Sequence, residues 1–199
     1  MGSLHLVKTV GGHALPEAVS AFQKSVRRGL VDDALYWGVD MYLTGFAEYA
    51  WKRLRIMTSE DVGPAEPTLP AVIQALYQSY ADQLKKSKAS GDKNAPERLF
   101  FVHAVILLAR AKKCRIVDHA LIYHFNRHAE AHREVPDCAL DRHTVRGRSM
   151  GRGVDHFFDE GSRLENVDEG IADPYRQKAR AAMRGPGGSL FPEIDDETA

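Results

Sequence analysis

The chain has 199 residues, 44% of them apolar, and its 27 Lys and Arg balance 27 Asp and Glu. That is enough for one sizeable core, while a neutral balance by itself points to no nucleic-acid partner; the distribution still matters, because the last residues are acidic and mask basic patches elsewhere. No apolar run approaches the roughly 20 residues of a membrane span, no signal-peptide apolar region opens the chain, and the two cysteines, Cys114 and Cys138, form neither a metal spacing nor a disulfide framework, so no membrane partner is expected and a reducing cytoplasm is.

Residues 1–14 read as a lead-in. Pro16 suits a first helical turn, and Val19, Phe22, Val26 and Leu30 then recur at three- and four-residue steps to about Gly29. The opposite face of that helix carries Lys24, Arg27 and Arg28. Asp32 or Asp33 suits the cap of a second helix, ALYWGVDMYLT, which is apolar nearly all round and is expected at the centre of the core. Gly45 is its natural stop. A third helix, FAEYAWKRLRIMT, sets Phe46, Tyr49, Ala50, Leu54 and Met57 on one side and Lys52, Arg53 and Arg55 on or beside the other.

Gly63 and three prolines then interrupt the helical period. Pro70 opens a fourth helix with a stripe from Val72 to Leu84, followed by a polar connection, 85–96. A fifth, ERLFFVHAVILLARA, is apolar enough to be buried. A sixth runs from Ile116 to about His132, with Val117, Ala120, Leu121, His124, Phe125 and His128 at helical spacing. The stretch after it is punctuated by glycine, first basic and then aromatic. Asp173 and Pro174 introduce a last helix, and 185–199 reads as a disordered acidic tail. With no strand-period segment, the expected fold is all-α: a bundle of about six or seven helices over 15–160, a peripheral segment over 161–184, and the tail.

The strings SAFQKSVR, DDALYW and KRLRIMTSEDVG, in that order between Ser20 and Pro67, resemble the C-terminal region of the replication-associated recombination AAA+ ATPases, relatives of the Werner-helicase-interacting protein. The similarity runs over about Ala18 to Lys113 and extends more weakly towards Glu160. The resemblance implies a clamp-loader-like helical collar that holds subunits together and works at DNA replication or repair intermediates. It implies a homo-oligomer, with DNA and a separate AAA+ ATPase as further partners. A phosphate-cradling G-x-x-x-x-G-K-[ST] is absent, so no nucleotide or other cofactor is expected and the role is read as non-catalytic.

Tyr36, Trp37, Arg53, Ser59, Glu60, Asp61 and Gly63 are the positions that match the family strings. Two readings apply to them. In the structural one, Ser59 caps a turn and the carboxylates pair with Arg53 or Arg55; in the functional one, Arg55 and Lys52 face a subunit or DNA. Arg142, Arg146, Arg148 and Arg152, interleaved with glycine and followed by Phe157, form the one dense basic stretch. It suits either phosphate contact with base stacking or a solvated loop anchored by its phenylalanines. His124, His128 and His132 stand four residues apart, a spacing at which two imidazoles share a metal, but H-E-x-x-H is absent and histidines on an apolar stripe equally suit a core or an interface.

Overall fold

The computed structural model describes residues 7–91, 94–130 and 132–184. Among these the chain is all-α, and the one strand-like feature is an isolated bridge between Lys8 and Ala14. Two compact units form, one from the described residues up to Glu130 and one from those after 131. The acidic tail, 185–199, lies outside the described residues.

Six helices build the first unit: α1 (Leu15–Arg28), α2 (Val31–Met41), α3 (Ala47–Met57), α4 (Leu69–Ser90), α5 (Arg98–Arg110) and α6 (Ile116–Arg127). Helix α1 starts with Pro16 in its first turn and ends at Gly29, whose φ of 73° is the left-handed cap that glycine adopts without strain. Leu15, Ala18, Phe22 and Val26 form its buried stripe. Helix α2 begins two or three residues earlier than its aspartates suggest. Leu30 occupies the cap without a side-chain bond, and Asp32 and Asp33 lie in the first turn, where they complement the helix dipole instead. Gly45, at φ 91°, breaks the helical path between α2 and α3.

The central element is α5, not α2. Helix α5 packs against α1, α2, α3 and α4 and buries Phe101, Ala104, Val105, Leu108 and Ala109. Helix α2 buries Ala34, Gly38, Asp40 and Met41 but turns Tyr36 and Val39 outward. Its apolar composition hid this, because a tyrosine and a valine on a solvated face are tolerated where a charge in the centre is not. Gly38 permits the close approach of α2, since a Cβ there would lie 2.9 Å from the Phe22 ring and 3.4 Å from that of Phe101. Truncating Phe101, the hub ring of this core, would cost about 3–5 kcal/mol.

Helix α4 runs past Leu84, where its apolar stripe ends, through Lys85–Ser90 to Gly91 at φ 68°. Lysine and alanine are good helix formers, so the helix continues on a solvated face until glycine stops it. Helix α6 is shorter than its pattern suggests: it stops at Arg127 and continues as one 3₁₀ turn, His128–Glu130. No residue of α6 is buried.

The second unit contains α7 (Val145–Ser149), α8 (Val154–His156, running into a wide turn at Phe157–Gly161) and α9 (Arg176–Met183). Its buried apolar residues are Leu140 and Phe158. Thr144 caps α7 by accepting from the Gly147 amide at 3.0 Å. Asp173 opens α9, its carboxylate accepting from the amides of Tyr175 and Arg176 at 2.9 and 3.2 Å.

Candidate functional site

Two of the family-like strings, SAFQKSVR and KRLRIMTSEDVG, converge on one ion-pair cluster where α1, the end of α3 and the start of α6 meet. The turn Thr58–Val62 that leaves α3 presents Glu60 and Asp61. Arg27 of α1 donates from Nε to Asp61 Oδ1 at 2.6 Å and from Nη2 to Glu60 Oε1 at 2.7 Å. Arg53 reaches Glu60 at 3.4 Å, and the Gln23 amide donates to both Glu60 oxygens at 3.2 and 3.3 Å. Arg115, just before α6, lies 3.6 Å from each carboxylate and also pairs with Asp118. The Cys114 amide donates to the Asp61 carbonyl at 2.8 Å, which straps the base of α6 to the turn. Asp61 is fully buried; burying a charge is tolerable only with such partners.

This geometry corrects three expectations. Arg27 is not presented to a phosphate, because its guanidinium is engaged by Glu60 and Asp61. Arg55 does not meet the carboxylates; its guanidinium lies over the Tyr77 ring at 4.2 Å, a cation–π contact. Ser59 is exposed and its side chain caps nothing, whereas the neighbouring Thr58 hydroxyl donates to the Arg55 carbonyl at 2.7 Å. Gly63 has a structural duty: its φ of 50° and ψ of −129° suit no side chain, and a Cβ would sit 3.1 Å from Val117 of α6. Lys24, Arg28 and Lys52 are exposed, with Lys24 bonded to the Ser20 hydroxyl.

Tyr36 and Trp37 receive the lead-in. Residues 8–14 form a tight turn whose Gly11 amide donates to the buried Asp40 carboxylate at 2.8 Å. The His13 ring then stands edge-on to Trp37, 4.8 Å between centroids, and within 3.3 Å of the Tyr36 hydroxyl. Asp40 and His13 escaped sequence reasoning. An aspartate inside an apolar helix is the signal that could have found the first.

Helix α6 sets out its apolar residues on the surface instead of in the core. Leu121, Ile122 and Tyr123 are more than half exposed and Phe125 is 83% exposed. Within its unit α6 touches chiefly the 58–62 turn at its base. His124 and His128 are exposed, and the helix ends between them; His132 lies beyond the 3₁₀ turn, so the regular four-residue ladder is not continued. Among the described residues, no group of three or more His, Cys, Asp or Glu side chains is arranged to hold a metal ion.

In the second unit the basic stretch divides. Arg152 is an internal strut: its side chain is 15% exposed and donates to the carbonyls of Asp137 and Leu140, both at 2.7 Å, and to the Asp137 carboxylate at 2.5 Å. Gly147 is a packing position, since a Cβ there would fall 1.9 Å from the Asp141 carbonyl oxygen. Arg142 is half-buried, and Arg148 donates to its carbonyl at 3.4 Å. Arg146 and Arg148 are exposed. Phe157 is half-buried, edge-on to His143 and Phe158.

The titratable groups with displaced equilibria belong to the scaffold. Burial raises Tyr42 and Tyr80 above the ordinary tyrosine range, both beside Phe101 or Trp51 in the core. Burial lowers Lys113, whose ammonium donates to the last carbonyls of α5 at 2.7–3.0 Å.

A family model described as the C terminal of MgsA AAA+ ATPases matches residues 29–174. Among curated proteins, the chain is 37% identical over 183 residues to an uncharacterised AAA domain-containing protein of Mycobacterium tuberculosis, covering 87% of the chain and 38% of that protein. It is 29% identical over 176 residues to replication-associated recombination protein A of Bacillus subtilis, covering 84% and 38%. It is 28% identical over 180 residues to ATPase WRNIP1 of Dictyostelium discoideum, covering 84% and 19%. The chain therefore spans well under half the length of each of these relatives.

Proposed function

The chain belongs to the family of MgsA AAA+ ATPase C-terminal domains, and from that membership we propose that it is a non-catalytic, collar-like module through which copies associate at DNA replication or repair intermediates in the cytoplasm. The observation that carries this reading is the exposed apolar length of α6. A helix with no buried residue and with Leu121, Ile122, Tyr123 and Phe125 facing solvent has the composition of an interface core. A second copy is the occupant, because closed homo-oligomers are the usual outcome of a self-complementary apolar face. The ion-pair cluster supports it by tying the base of α6 to the 58–62 turn. The name of one relative, replication-associated recombination protein A, supports the setting. Contact with DNA falls to the exposed cations Lys24, Arg28, Lys52, Arg146 and Arg148.

Light scattering of the purified chain tests the proposal. An assembly larger than a monomer is expected, and Leu121→Glu with Phe125→Glu should reduce it to monomers with unchanged helical circular dichroism. A wild-type chain that stays monomeric across the micromolar range would overturn it.

A further inference from the structure

His124 and His128 are exposed, and among the described residues no group exchanges a hydrogen bond or an ion pair with either ring. The His124 ring stands edge-on to Tyr123, 5.1 Å between centroids, a contact that engages neither nitrogen. Helix α6 ends at Arg127, yet His128 keeps a helical backbone, with φ −57° and ψ −42°. The step between the two histidines is therefore one regular turn. It rises about 6 Å, four residues at 1.5 Å each, and it sets two side chains one above the other on the same face. Two imidazoles so placed can ligate one metal ion. The next histidine does not continue the series, because His132 lies beyond the 3₁₀ turn and stands 3.7 Å from the Glu134 carboxylate.

Two imidazoles fill half of a tetrahedral shell. Among the described residues, no further His, Cys, Asp or Glu of the same chain completes it. What accompanies the pair is apolar. Leu121 and Phe125 each precede a histidine by three residues, so the four side chains share one face of α6, and Leu121 is 55% and Phe125 83% exposed.

We propose that His124 and His128 are half of a zinc site that a second copy of the chain completes. This rests on the reading of α6 as the face where copies meet, and it names the ion that fixes their register. A two-fold contact through this face is isologous and brings the same histidine pair from each copy. Four neutral imidazoles then close the shell around Zn²⁺, with nitrogens at about 2.0–2.1 Å. Leu121 and Phe125 pack beside the ion and keep solvent from it. Magnesium and calcium are poor occupants because they take oxygen ligands.

The experiment starts from the intact chain freed of metal with EDTA and titrated with zinc chloride. Native mass spectrometry reads the bound metal, and light scattering reads the assembly. Zinc should bind at one ion for every two chains and strengthen association about tenfold or more. His124→Ala with His128→Ala should abolish both effects and leave the helical circular dichroism unchanged, since both side chains are exposed. His119→Ala, exposed on the opposite face of α6, should leave both effects intact. Cobalt(II) in place of zinc should show the visible absorption of a tetrahedral nitrogen site. One zinc per chain, or zinc binding that survives the two alanines, overturns the proposal. An assembly that forms equally well in EDTA and in zinc also overturns it, while the α6 contact stands. A chain that stays monomeric with and without zinc overturns the α6 contact as well.

Discussion

Arg27 and Asp61 meet at 2.6 Å, Nε to Oδ1, across 34 positions of sequence, and this contact ties α1 to the turn against which the base of α6 rests. Asp61 is buried, so the contact sets more than local charge. Removing one partner of a buried pair leaves an uncompensated charge. Replacing Arg27 by leucine should therefore destabilise the chain by about 2 kcal/mol, less than the full penalty because Arg115 remains nearby and solvent reaches Arg27. Urea unfolding should show a lower midpoint with an unchanged slope. Arg28→Leu, one residue on and exposed, should stay within about 0.5 kcal/mol of wild type. Adding Asp61→Asn to Arg27→Leu should restore part of the loss.

Two glycines mark places where helices approach too closely for a side chain. Gly38→Ala pushes a methyl against the buried Phe22 and Phe101 rings and should cost about 1–3 kcal/mol. Gly147→Ala meets backbone rather than a side chain, 1.9 Å from the Asp141 carbonyl oxygen, and backbone cannot yield by changing rotamer. It should be the more damaging change, visible as loss of dispersed amide signals for 140–161. Equal, small effects of both alanines would contradict this packing.

Where apolar residues fell at regular helical spacing, as at Ala18, Phe22 and Val26, the periodicity led directly to the buried face, and Gly29, Gly45 and Pro70 marked the helix limits. Hydrophobic pattern says which residues prefer to be dry, not which surface dries them. Helix α6 has the composition of a core helix, yet no residue of it is buried. Similarly, Arg27, Arg146 and Arg152 look alike in sequence. Their fates are decided by acids and carbonyls far along the chain, Asp61 for the first and the 137–140 turn for the last.

The division of the basic stretch can be tested within one series. Arg152→Ala removes three bonds and leaves two carbonyls of the 137–140 turn without their donor, so the second unit should lose about 1–3 kcal/mol. Arg146→Ala changes an exposed side chain and should leave stability within about 0.5 kcal/mol. Hydrogen exchange of the amides in 137–152 separates the two, with faster exchange expected only for Arg152→Ala. If both alanines weaken oligonucleotide binding equally with no change in exchange, Arg152 is a contact and not a strut.

The docking of α9 carries a definite dependence on pH. The hydrogen bond from Arg184, then that from Arg180, holds the Asp155 carboxyl below the ordinary aspartate range. A carboxylate depressed in the folded state contributes its stabilisation above the unfolded value and loses it as pH falls through the folded one. The α9 contact is therefore complete at neutral pH and through mild acid, and it is released only below the ordinary aspartate range, once Asp155 takes up its proton. Carboxyl-detected NMR titration should place the Asp155 midpoint below that of an exposed aspartate, with the α9 amide signals moving in the same acidic interval. Raising the salt should bring that midpoint back towards the ordinary value, because exposed pairs are screened. If the α9 signals shift instead between neutral and mildly acidic pH, Asp155 does not govern the contact.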